Sequence, residues 1–390
     1  MKQKAPFLLT GDPTQCCACG ACRQICPKNC ITMEEKDGFL RPKIHEHACI
    51  DCGLCGNVCQ YVQLPSRPDA PLAAWAAYHT DEQIHSHSTS GGMFPALAQY
   101  TLRQGGVVFG AGWNEDLTVS IQPGERWEAC RNFSQSKYVF SDTGDTYTQV
   151  KDLLKAGRRV LYTGTPCQVA GLRRFLGQDY ENLLTMDVIC HGFPSRKAFR
   201  AWLREQEHSG GKVCRVTFRS KSEEDTVVRL QTEFADGRVQ EEPFFPSSYA
   251  NVFFSHVALQ PACNHCLHTN LQRVSDITVG DFWGAKTEQP DAYHPRGTSA
   301  VIVNTEKGAA ALDAIRSELH CVPTSTQKLA AHNPPLRTQA GYNPLSRSFL
   351  KALDKMSFSK AHQRYVKIGN VLLLPYRAVR KLRKKLRRRA

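Results

Sequence analysis

Two cysteine runs near the start of the chain share one spacing. The first holds Cys16, Cys19, Cys22 and Cys26, followed by Pro27; the second holds Cys49, Cys52, Cys55 and Cys59. Each reads C-x2-C-x2-C-x3-C, the arrangement that builds two 4Fe–4S clusters. Three thiolates from one tight loop reach three corners of a cubane. The fourth opens a helix, points away and serves the other cluster. This assigns Cys16, Cys19, Cys22 and Cys59 to one cluster and Cys49, Cys52, Cys55 and Cys26 to the other. Gly20 and Gly53 lie inside the loops, where the backbone must curl. Zinc is the competing reading, because C-x2-C pairs also suit a tetrahedral ion. Three cysteines at two-residue gaps overfill one zinc site, and disulfides fit less well still. Cys17 and Cys30 fall outside the pattern and read as packing residues. Gln60 stands where the first run has Pro27, a departure that touches no ligand. The implied chemistry is electron transfer.

A second set of thiols lies deeper in the chain. Cys167 sits in GTPCQVAGL and Cys190 in DVICHG, each just after a strand-like run; Cys263 and Cys266 form a C-x2-C in PACNHCLHTN. Ligands collect at strand ends in α/β sheets. Spacing alone leaves two readings open. One is a third 4Fe–4S cluster held from three loops. The other is two buried structural cysteines beside a C-x2-C that binds zinc or nothing.

These thiols need elements to place them. With 390 residues and 41% hydrophobic content, the chain can bury the cores of two or three domains. Residues 1–64 read as a di-cluster ferredoxin domain of bacterial type, an internal duplication. Residues 65–74, rich in proline, read as a linker. Strand and helix patterns then alternate: helix from Ser90 to 104, strand VVFGAGW, helix TYTQVKDLLKAG, strand RRVLYTG, helix TPCQVAGLRRFLG, strand NLLTMDVICHG, helix SRKAFRAWLREQEH. Residues 213–240 alternate apolar and polar positions, with a hairpin turn at Asp236-Gly237. DITVGDFWG and SAVIVNT are further strands, and KGAAALDAIRSEL is a helix. Residues 325–365 carry no clear period. The expected fold is α/β with mixed α+β character: a mixed sheet with helices on its faces over residues 75–345.

GTPCQVAGLRRFL, DVICHGFPS, the C-x2-C at 263–266, DITVGDFWG and the upstream STSGGMFPALA occur in this order. In them the region 75–320 resembles the family of beta subunits of coenzyme F420 hydrogenase and dehydrogenase. The resemblance implies an iron–sulfur flavoprotein with FAD beside a cluster, and it favours the third cluster at Cys167, Cys190, Cys263 and Cys266. For a flavin dinucleotide, the Ser90-Gly91-Gly92 helix start offers bare N–H groups to a pyrophosphate, although an ordinary serine cap reads the same. Lys137 and Tyr138 offer a charge and a ring; Gly164, Thr165 and Pro166 form a tight turn that offers a second contact. His191 is the proton-donor candidate by position. Asp276 and Asp281 flank Gly280 without an assigned role, and no residue is assigned as catalytic. The implied function is an oxidoreductase relaying electrons between ferredoxin-type clusters and a two-electron partner at the flavin. The rivals are an electron-transfer subunit that holds no substrate itself, working in a larger redox complex, and an iron–sulfur regulatory protein. Partners would be a redox carrier protein or an enzyme complex. Neither the acceptor nor the use of coenzyme F420 is written in these residues.

The formal charge of +14 is concentrated at one end. Residues 377–390 contribute nine Lys or Arg and no acid. The segment 346–390 reads as a basic tail. Val379, Leu382 and Leu386 fall at helical spacing in it, suited to an anionic membrane surface, or equally to a disordered solubilising end. Nucleic acid is the weakest reading, since the body has no helix-turn-helix or aromatic-rich RNA motif. Cluster chemistry, the short apolar stretch of the N-terminus and the lack of a long apolar run suggest a cytoplasmic protein, with the inner membrane face open to the tail.

Overall fold

The computed structural model describes residues 3–221 and 226–369. Its centre is a nine-stranded mixed sheet. Four strands run parallel side by side: β4 (Val107–Trp113), β7 (Val160–Gly164), β8 (Leu183–Val188) and β12 (Ile277–Asp281). On one flank β13 (Ser299–Val303), β3 (Ala73–His79) and β14 (Leu319–Thr324) add antiparallel. On the other, β5 (Val119–Gly124) returns along β4, and β6 (Ser141–Asp142) follows it. A separate sheet of β9 (Val213–Ser220), β10 (Arg229–Phe234) and β11 (Val239–Pro243) carries the alternating segment, with its hairpin at Asp236-Gly237, Gly237 at φ 87°.

The local chemistry of the helix after β7 is explicit. Pro166 occupies its first turn, Thr165 and Gln168 form a reciprocal capping box, and Gly177 ends it in the left-handed region. These devices satisfy the orphan N–H groups at the start and fix where the helix begins. Cys167 is thereby held at the carboxyl end of β7, and Cys190 lies just past β8.

Sequence reasoning passed over β3. Its AAWAAYH is poor in β-branched residues and rates low as a strand. It forms because it lies between β13 and β14, with Ala76 and Ala77 fully buried. The linker at 65–74 therefore ends as this strand begins. The hairpin β1 (Ile31–Lys36) and β2 (Phe39–Ile44) was missed too, although Asp37-Gly38 between them is a two-residue turn with both φ positive. The Gly38 carbonyl accepts from Arg196 N–H at 2.8 Å, at the start of helix Arg196–Gly210. Glu35 on the same hairpin pairs with Arg200. The N-terminal cysteine-rich segment is thus seated on the body rather than hung from it.

The tail was expected from 346, but residues 346–366 belong to the core. Helices Ser346–Ala352 and Phe358–His362 insert Phe349, Leu350, Phe358 and Ala361 into an aromatic cluster with Trp202, Phe218, Phe244 and Tyr249. Their apolar positions are spread over short helices, too brief for a period to show. Phe349→Ala should cost about 3–5 kcal/mol, read as a fall in the urea midpoint at constant slope. A loss below about 1 kcal/mol would return this segment to the tail. The basic stretch 371–390 lies outside the described residues. No helix among the described residues is long and apolar enough to cross a membrane.

Candidate functional site: cysteine cavities and a polar cleft at the sheet edge

The two N-terminal runs are local duplicates in backbone as well as sequence. Ala18 and Asp51 occupy matching positions at φ 58° and 50°, and Gly20 and Gly53 follow at 77° and 76°. Left-handed residues in succession make each loop curl around its own centre. Cys16, Cys19, Cys22 and Cys59 line one cavity, with Cys17 beside them. Cys26, Cys49, Cys52 and Cys55 line another. Cys30 joins the second, its sulfur 3.3 Å from that of Cys26. The fourth thiol of each run therefore lies with the other run's three. Burial pushes the Cys59 thiol up to about 12.

The inner of these cavities faces the body. Arg41 and Gln260 both donate to the Cys16 carbonyl, at 2.7 and 3.0 Å, and Thr143 donates to that of Cys19 at 3.0 Å. Gly171, on the helix that carries Cys167, approaches so closely that a Cβ there would lie 2.9 Å from that of Cys19.

The second cysteine set converges. Cys167, Cys190, Cys263 and Cys266 line a single cavity of about 130 Å³, together with Pro166, His191, His256, His268 and Arg273. Cys263 and Cys266 come from the turn Pro261–His265 and the residue after it. Two backbone amides point at sulfur: Phe193 N–H to Cys263 at 3.3 Å and His268 N–H to Cys266 at 3.4 Å. Ala18 N–H does the same for Cys16 at 3.4 Å. Four thiols around a cavity with amide donors on the sulfurs suit a cubane cluster, whose potential such bonds tune. Among the described residues, no three His, Cys, Asp or Glu side chains converge as a single ion requires.

His191 lies at the rim of this cavity. Its Nε2 is 2.8 Å from Nε2 of His256, whose Nδ1 is 3.0 Å from the Gly341 carbonyl. A carbonyl only accepts, so a neutral His256 keeps its proton on Nδ1 and receives one from His191. Burial pushes His191 down to about 4. Asp276 and Asp281 are structural ties. Asp276 accepts from Thr185 and Thr305, and Asp281 grips Arg219 through two bonds of 2.6 and 3.1 Å.

A larger cleft of about 390 Å³ opens past the carboxyl end of β4. Its walls include Ser88, Trp113, Asn114, Trp127, Arg131, Ser134, Gln135, Lys137 and Arg215. The aromatic, hydroxyl and basic mix suits a nucleotide-bearing cofactor. Of the flavin contacts expected, Lys137 is in this wall. Its ammonium donates to the carbonyls of Asn132, Ser134 and Gln135 at 2.5, 2.8 and 3.3 Å. Burial, with Arg215 nearby, pushes it down to about 7.

The other expected contacts lie elsewhere. Ser90 donates to the Thr298 carbonyl, and Gly91 N–H goes to Ser299 Oγ, so both are committed to β13 and the residue before it. Gly92 packs its Cα against His79 at the helix start. Tyr138 is packed among Phe218, Phe244 and Phe253. Gly164, Thr165 and Pro166 lie at the end of β7, and Pro166 lines the cysteine cavity instead. Trp113, Arg131 and Arg215 were not singled out, because nothing local marks them. Only the sheet brings their segments together.

The site therefore consists of thiol-lined cavities and a polar cleft along one edge of a mixed sheet. The family described as coenzyme F420 hydrogenase/dehydrogenase, C terminus of the beta subunit, matches residues 157–326, a stretch that holds all four cysteines of the second set. In that stretch the chain is similar to the family. It is 22% identical over 313 residues to the coenzyme F420-dependent sulfite reductase of Methanocaldococcus jannaschii, spanning 76% of this chain and 45% of that one. The chain thus spans less than half the length of this relative. It is likewise 22% identical over 321 residues to the F subunit of the F(420)H(2) dehydrogenase of Methanosarcina mazei, 78% of this chain and 83% of that one. A chain of the F420-reducing [NiFe] hydrogenase complex from Methanosarcina barkeri overlaps 76% of this chain and 92% of its own, with 17% identity and a TM-score of 0.44.

Proposed function

We propose that the protein is an iron–sulfur flavoprotein oxidoreductase that relays electrons between a one-electron carrier and a two-electron substrate. The observation that carries this reading is the grouping of twelve cysteines into three sets of four. The inner N-terminal set abuts the helix of Cys167. When bound, clusters exchange single electrons and a flavin exchanges one or two, which joins the two kinds of partner. The residues of the chain do the rest. Cysteine loops hold the centres in sequence from the outer set through the inner set to Cys167, and buried amides set their potentials. The cleft at Lys137 supplies charge and aromatic surface for FAD.

Anaerobic purification with iron, labile sulfide and flavin assays tests this directly. About twelve irons and one flavin per chain are expected. About eight irons and no flavin would overturn it. The second reading, an electron-transfer subunit of a larger redox complex, is favoured by the name of the Methanosarcina mazei relative, one subunit of a dehydrogenase. Full iron without flavin would support that one.

Lys137 adds a pH dependence. With its ammonium at about 7 in the free protein, charge is present below that pH and lost above it. A phosphate that displaces one of the three carbonyls from this ammonium raises this value, so FAD affinity falls as pH rises through 7. A tenfold weakening between about pH 6 and pH 8 is the scale of one pKa unit. Lys137→Met should weaken binding and flatten the profile in flavin fluorescence titrations. An unchanged profile in that variant would move the phosphate elsewhere.

A further inference from the structure

The two N-terminal runs differ at the residue after their last cysteine, Pro27 in one and Gln60 in the other. The difference has a structural use. Gln60 is 2% exposed and its amide is fully engaged. Nε2 donates to the Cys167 carbonyl at 2.9 Å and to the Cys17 sulfur at 3.2 Å. Oε1 accepts from His268 Nε2 at 2.6 Å. A proline offers none of these bonds. Cys17 also lines the inner cavity, with Cys19 and Cys167 as its thiol neighbours. One buried thiol and one buried amide, neither a member of the three sets of four, therefore span the gap between the inner N-terminal cavity and the deeper one.

We infer that Cys17 and Gln60 form the junction that couples these two iron–sulfur sites, Cys17 through its one S–H, shared between their ligand sulfurs, and Gln60 as the positioning residue that aims it. The inference rests on the relay reading above. The path is short: Cys59 is bonded to Gln60, whose amide reaches the Cys167 peptide through one hydrogen bond. Transfer across it oxidises the inner site by one electron and reduces the deeper site by one, with no proton or further reactant. A donor on sulfur favours the more negative, reduced state, so its removal lowers the potential.

The test compares wild type with Cys17→Ala, Cys17→Ser and Gln60→Leu in the anaerobic full chain. Iron is assayed first, followed by a redox titration monitored by electron paramagnetic resonance. Cys17→Ala should keep its iron and lower the potentials of the inner and deeper centres. A tenfold shift in their electron occupancy relative to the outer centre is about 59 mV for one electron. Cys17→Ser, which keeps a donor, should restore most of it. Gln60→Leu should move the same two centres and leave the outer one unchanged. Full iron with unmoved potentials overturns the junction, as does an equal shift in all three centres. Loss of one cluster in Cys17→Ala would make Cys17 a ligand and also overturn it. A wild-type count of about eight irons would instead sink the relay reading, so the two failures are distinguishable.

Discussion

Cys167→Ser should lower iron and sulfide by about one cluster of four and leave about eight irons in place. The argument is geometric. Cys167 shares its cavity with Cys190, Cys263 and Cys266 and lines neither N-terminal one. It comes from the first turn of a helix whose start is fixed by Pro166 and a capping box, which fixes where its sulfur sits. An alcohol is a poor iron ligand beside three thiolates, and a cluster missing one anchor is lost on handling. The two proposed N-terminal centres would draw every ligand from residues 16–59 and should keep their iron. Unchanged iron in this variant would remove the third cluster and leave Cys167 as a packing residue. Loss of all twelve irons would show that the variant fails to fold, and Cys266→Ser, just after the turn Pro261–His265, would then carry the test.

Arg273→Met should destabilise the protein by about 3–5 kcal/mol, the cost of breaking a buried ion pair from one side. The side chains of Arg273 and Asp187 are 2% and 0% exposed, and they meet at 3.0 Å. Arg273 also donates to the His268 carbonyl at 2.8 Å and to Thr278 at 3.2 Å, which ties the Cys266 segment to β8 and β12. Burial pushes the Asp187 carboxyl up, against the pull of Arg273. Without the guanidinium, the buried carboxylate has no compensating charge. Removing both charges, in Arg273→Met with Asp187→Asn, should recover much of the loss, because the penalty comes from the orphaned ion. Anaerobic urea unfolding followed by tryptophan fluorescence reads both. A single-variant loss below about 1 kcal/mol would show that water reaches the pair.

The parts of the site legible in the sequence are those whose chemistry is local. Crosswise grouping of Cys26 and Cys59 followed from loop reach alone, and the cavities group them that way. The alternating pattern from 107 to 210 reported the parallel strands, because helices of ten or more residues show their period. Short or atypical elements did not report themselves. The strand Ala73–His79 is alanine-rich, and the helices of 346–362 are five and seven residues long.

The flavin contacts show where local reading stops. Ser90-Gly91-Gly92 has the composition of a phosphate loop, yet Ser90 and Gly91 spend their donors on the neighbouring strand region. A bare N–H is informative only if nothing in the fold has claimed it, and that is a long-range fact. Gln60 makes the same point in reverse. Beside its own run it is a harmless departure from proline; in the fold it reaches residues 17, 167 and 268 at once. By itself, then, the sequence determined which atoms could bind iron and that the body is a mixed α/β sheet, since ligand spacing and hydrophobic period are properties of neighbouring residues. Tertiary structure alone decided that Cys167, Cys190, Cys263 and Cys266 share one cavity, that Lys137 faces a cleft with Trp113 and Arg215, and that Gln60 ties the N-terminal segment to Cys167 and His268. Those relations join segments tens to hundreds of residues apart, and only packing of the sheet and its helices brings them within bonding distance.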